Sequence, residues 1–145
     1  MILLTAEMKK LILFLSIFLT LVSCSENDQF DVEFESVNLP TDRIEAPEIF
    51  RLNQINTLRV YFTFPNQCYR KPSADVSPSE GNRKRVELYA VELLNTPCSQ
   101  ATRIESIEIP VFVDTNRDYT FVFWKGFDNN GEEIYEQIII PVKNF

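Results

Sequence analysis

The stretch Ile55-Asn56-Thr57-Leu58-Arg59-Val60-Tyr61-Phe62-Thr63-Phe64 decides how the chain folds. Leu58, Val60, Phe62 and Phe64 alternate with Arg59, Tyr61 and Thr63, the two-residue period of a half-buried strand. Pro65-Asn66 ends it. Working outward, the same signal recurs. Phe30, Val32 and Phe34 alternate with Asp31, Glu33 and Glu35, which predicts a strand with the apolar set inward. Val86–Leu94 predicts another, with Val86, Leu88 and Ala90 on one face. Its other face changes from Glu87 and Tyr89 to Val91 and Leu93, which suggests a bulge or a change of surroundings. Ile104–Val113 puts Ile107, Ile109, Val111 and Val113 together, and Pro110 marks it as an edge strand or a broken one. Tyr119–Trp124 is apolar on both faces, as a central covered strand would be. Asn130-Gly131 is a hairpin turn signal, and Ile134–Val142 returns with Ile134, Ile138, Ile140 and Val142 aligned.

Two segments read as connections. Residues 37–47 hold Pro40 and Pro47 among polar residues. Residues 65–83 read as a long polar loop with Pro72, Pro78, Gly81 and several serines. This loop and its end are locally basic through Arg70, Lys71, Arg83, Lys84 and Arg85. These five form a candidate partner-binding loop for an acidic group; the plainer reading is a solvated surface balanced by Glu80 and Glu87.

The composition agrees with an all-β chain. There are 12 phenylalanines and only 3 glycines, and aromatic and β-branched residues favour strands. Six or seven strands without helical crossovers predict an antiparallel β-sandwich, with a small barrel as the alternative. Asp114–Tyr119 resembles the approach to the sixth strand of immunoglobulin-like and fibronectin-type domains. That resemblance implies that Tyr119 bonds back to the corner before its strand.

Upstream, Lys9-Lys10, the apolar run Leu11–Val22 and Ser23-Cys24 have the layout of an export signal. The run is shorter than the roughly 20 residues of a spanning helix. Leu21-Val22-Ser23-Cys24 resembles the lipobox of bacterial outer-membrane lipoproteins. The resemblance implies that residues 1–23 are a helical signal peptide, with Met8 a possible true start, and that Cys24 is lipidated and becomes the mature terminus. Residues 24–35 are then an acidic tether running into the first strand, and residues 30–145 the sandwich domain. Ser25-Glu26-Asn27-Asp28 resembles the acidic export signal of surface-displayed lipoproteins. The implied location is the outer membrane of a Gram-negative bacterium, facing either the surface or the periplasm.

With Cys24 set aside, Cys68 and Cys98 remain. In an exported chain they are expected to form a disulfide, with two free thiols as the alternative. The net charge of −7 becomes −8 once Glu7, Lys9 and Lys10 leave with the signal. That disfavours nucleic acid as a partner.

The chain contains no histidine, so a His-activated serine or cysteine is excluded. No phosphate-binding glycine loop is present. Asp114-x-Asn116-x-Asp118 starts like a calcium loop, but Tyr119 and Lys125 stand where Gly and Glu are required. No enzyme activity, cofactor or metal site is expected. Trp124, Tyr135, Tyr89 and Tyr61 are candidates for an exposed aromatic platform for glycans. The expected role is a lipid-anchored binding or accessory module with a protein or glycan partner. The alternatives are a glycan-binding module and a structural component of an envelope assembly that pairs by a strand edge.

Overall fold

The structure, a computed structural model, describes residues 32–144. The signal peptide, Cys24 and most of the tether lie outside the described residues. Within them the chain is all-β, with ten strands and no helix. The strands are β1 (Phe34–Leu39), β2 (Arg43–Glu45), β3 (Phe50–Arg51), β4 (Ile55–Phe64), β5 (Tyr69–Pro78), β6 (Arg83–Leu93), β7 (Arg103–Phe112), β8 (Tyr119–Phe127), β9 (Glu133–Ile140) and β10 (Val142–Lys143).

They form three sheets. The first joins β1, β5, β6, β8 and β9; the second joins β2, β4 and β7; β3 and β10 make a short parallel pair. In the first sheet β5 runs along the whole of β6. The other edge of β6 is shared: β8 pairs with residues 83–86 and β1 with residues 88–93. The change of neighbour at residue 87 precedes the polarity change, since Tyr89 and Val91 both lie beside β1, and the bulge falls in β5, between Arg70 and Ser73.

The sheet is not wholly antiparallel as expected, because β6 and β8 are parallel. Between them the chain crosses to the second sheet as β7 and comes back, so β8 re-enters in the direction of β6.

The core lies where the inner faces of the two larger sheets meet. Leu58, Val60, Phe62 and Phe64 come from β4, and Ile109 and Val111 from β7. Val86, Leu88 and Ala90 face them from β6, and Tyr119, Phe121 and Phe123 from β8. The periodicity of β4, β7 and β8 thus predicted the buried faces. Among the described residues β7 pairs only with β4, so Pro110 sits on an edge strand there and disrupts no second ladder. On β8, Val122 and Trp124 are buried on the opposite face, as expected for a covered central strand.

Four expectations are corrected. β1 begins at Phe34, and its inward residues are Val37 and Leu39 rather than Phe34, which is 68% exposed. Phe34 pairs with Leu93, and neither joins the core. Residues 37–47 are not merely a connection. The chain ends β1 in the first sheet and starts β2 in the second, anchored on the way by Thr41 N–H to Trp124 O (2.9 Å) and Asp42 N–H to Tyr61 O (2.8 Å). Residues 65–83 are not a loop but hold the ten-residue strand β5. Tyr69, at its start, and then only Ala74 and Val76 pack against the core, so the body of the strand carries little hydrophobic signal. The last strand is divided at Pro141 into β9 and β10.

Cys68 and Cys98 form a disulfide, with their Cα atoms 5.5 Å apart. It ties the start of β5 to the segment before β7. Tyr119 also bonds back to its corner: its hydroxyl donates to Asp114 Oδ1 (2.7 Å) and accepts from Asp114 N–H (3.3 Å). The Asp114 carboxylate is thereby engaged in the corner.

Candidate functional site

Arg83 and Arg85 stand at odd positions of β6, so both point away from the core, where Val86 and Leu88 point in. In register, Arg85 lies beside Val122 of β8, and Val122 beside Gln137 of β9. Both guanidiniums reach across β8 to its far neighbour. Arg83 Nη1 donates to Gln137 Oε1 (2.9 Å), and Arg85 Nη2 donates to the Tyr135 hydroxyl. Arg85 also lies over the Tyr135 ring, 4.9 Å from its centre. Long arginine stems cover apolar surface while their heads stay polar. Here they roof Val122, which is why a valine on the outer face of a sheet is only 9% exposed.

Between these groups lies a recess of about 270 Å³ lined by Ser79, Arg83, Arg85, Val122 and Tyr135. Ser79 is placed by the β5–β6 turn, where its N–H donates to Arg83 O (2.8 Å) and Arg83 N–H donates to Glu80 O (3.2 Å). Gly81 occupies the left-handed region in that turn (φ 63°), where a side chain would be strained.

The two arginines are not equivalent. Arg85 Nε donates to Glu87 Oε1 at 2.7 Å. Arg83 has no carboxylate partner among the described residues; its side chain bonds to the neutral amide of Gln137. The neighbouring phenols are held protonated. Tyr135 donates to Glu133 Oε2 (2.8 Å), and that bond raises its pKa above the ordinary value. Tyr89 donates to Glu87 Oε2 (2.6 Å), with the same effect. A polar chain, Tyr89–Glu87–Arg85–Tyr135–Glu133, thus runs across the outer face and fixes the guanidinium of Arg85.

The five basic residues proposed as one loop are separated by the fold. Arg83 and Arg85 share the recess. Lys84 points to the other face, with its Nζ 5.9 Å from the centre of the Tyr119 ring. Arg70 and Lys71 lie at the far end of the β5–β6 hairpin, where Arg70 is opposite Val91. Eight residues of strand from 83 to 91 span about 26 Å. Arg70 there donates to Tyr69 O (2.9 Å).

The four candidate aromatics do not make a platform either. Trp124 and Tyr135 are cross-strand partners, but Trp124 is only 8% exposed and packs edge-on against Phe127 (5.4 Å). Tyr61 lies on the second sheet under Arg43 (3.9 Å). Only Tyr135 contributes to the recess. Sequence reading missed Ser79, Val122 and Gln137, because they come together only through the β6–β8–β9 register.

The outer face of the second sheet carries a more open recess of about 350 Å³ lined by Glu45, Ala46, Pro47, Thr57, Arg59 and Glu108. Its charges are already matched, Arg59 with Glu108 and Arg43 with Glu45. Exposed pairs of this kind contribute little to stability and leave no unmatched charge for a ligand.

Comparison with protein-family models, with curated proteins and with solved structures gave no match.

Proposed function

We propose that this chain is a lipid-anchored lipoprotein of a Gram-negative outer membrane, and that its β-domain is a non-catalytic binding or accessory module. The lipobox-like Leu21-Val22-Ser23-Cys24 supports the anchor, and two or more acyl chains hold a protein firmly where one does not. The two-sheet core and the Tyr119 corner support an immunoglobulin-like sandwich as its architecture. The observation that carries the binding role is the recess between Arg83, Arg85 and Tyr135. A charged, partly sheltered hollow on the face of a sheet is the kind of place where a ligand docks.

Phase partition in a cloud-point detergent tests the anchored reading. The wild-type protein enters the detergent-rich phase and Cys24→Ala stays in the aqueous phase. Equal partition of the two would end the proposal.

A second reading, assembly by strand edge, has its own support. β9 pairs only with β8 among the described residues, and it exposes Ile134 (43%) and Ile139 (59%). Unpaired strand edges are templates for pairing with another chain. Cross-linking from position 139 would trap a partner strand if that reading holds.

A further inference from the structure

We propose that the recess on the outer face of the first sheet binds the carboxylate of an acidic sugar unit, with Arg83 as its anchor. The inference rests on the binding-module reading and names its ligand class.

The charge inventory selects the ligand's charge. Arg85 is matched by Glu87 and fixed by the Tyr135 hydroxyl, whereas Arg83 faces only the Gln137 amide among the described residues. Arg83 is therefore the one guanidinium of the recess without an ion-pair partner among the described residues, and its fork is open to a ligand's carboxylate. A guanidinium fork fits a carboxylate in two parallel hydrogen bonds. A phosphate monoester carries up to about two negative charges and would meet Glu87 and Glu133 close by, so a monoanion is the better match.

The neutral groups select a sugar. The Ser79 hydroxyl and the Gln137 amide can each both donate and accept, which suits ring hydroxyls. Tyr135 is 37% exposed and offers an aromatic edge beside them. Val122 is the one aliphatic side chain in the lining, so the recess offers little apolar surface for a peptide side chain. The volume of about 270 Å³ lies just under the roughly 300 Å³ at which pockets for drug-sized ligands begin, so it takes one sugar ring rather than several. The acidic charge of the whole chain does not forbid this, because fields from exposed charges fade over about 8 Å at physiological ionic strength.

Titration calorimetry on the full chain in detergent micelles tests the assignment. The probes are tetramers of galacturonate, of mannuronate and of alternating glucuronate and N-acetylglucosamine, with tetragalactose, tetraglutamate and inorganic phosphate as comparisons. At least one uronate tetramer binds, and tetragalactose binds at least tenfold more weakly. Arg83→Ala loses at least tenfold, Arg83→Lys loses less, and Arg59→Ala on the second sheet changes nothing. If Arg83→Ala fails to fold, Gln137→Ala supplies the same test, because it removes both the amide that holds the Arg83 head over the recess and a partner for the sugar hydroxyls, and it loses several-fold. Failure of all three uronates to bind overturns the inference. So does unchanged binding by the Arg83 variants, or equally tight binding of tetraglutamate or phosphate. Failure here with normal detergent partition would leave the anchored reading standing.

Discussion

The Tyr119 hydroxyl joins a buried ring to the corner that precedes β8. Tyr119→Phe keeps the ring and removes both bonds to Asp114, which should cost about 1 kcal/mol. Urea unfolding would read it as a lower midpoint with an unchanged slope. Asp128 acts in the same local way in the β8–β9 turn. Its Oδ1 accepts N–H bonds from Asn130 and Glu132, each 2.8 Å. Those bonds, the Glu132 one foremost, hold its pKa below the ordinary 3.8. The carboxylate therefore stabilises the turn fully above that pH and ceases to do so as pH falls through the lower folded value. The melting-temperature gap between wild type and Asp128→Ala should shrink between neutral pH and about pH 2; a constant gap would show that charge plays no part. Tyr119 was legible from its place before a strand. Gln137 was not, since nothing local distinguishes it from any exposed polar residue.

At the level of elements, legibility followed burial. β4 places four core residues at strict alternation, and its sequence declared it. Phe62 is fully buried and packs on Phe64 (5.3 Å), so Phe62→Ala should cost about 3–5 kcal/mol. β5 lies at the edge of its sheet and carries Pro72 near its bulge. Its stretch Ser73-Ala74-Asp75-Val76-Ser77 has the right period, but too little apolar weight to outvote the prolines. Pairing with β6 supplies what its side chains do not. The Cys68–Cys98 disulfide pins the near end of β5 across a separation of 30 residues. Removing it with a Cys68→Ala, Cys98→Ala double variant should cost about 3–4 kcal/mol by the chain-entropy argument. An unchanged denaturation midpoint would contradict that.

On the scale of the whole molecule, an all-β fold class is easier to read from sequence than a site. Period-two patterning specifies inward and outward faces strand by strand. It does not say which strands are neighbours, and the recess depends on that. Arg83 and Arg85 meet Gln137 and Tyr135 because β6 lies parallel to β8 and β8 pairs with β9. The five basic residues looked like one cluster along the chain, yet two of them lie at the opposite end of a long hairpin. The proposed lipobox, by contrast, is a linear motif, Leu21-Val22-Ser23-Cys24, whose resemblance rests on residue order alone and needs no fold to be noticed.

The central claim is therefore that Cys24 carries lipid and holds the β-domain at a membrane. Metabolic labelling with radioactive palmitate tests it most directly. The wild-type chain should take up label and sediment with membranes, and Cys24→Ala should do neither. Label retained by Cys24→Ala, or absent from the wild type, would contradict the account.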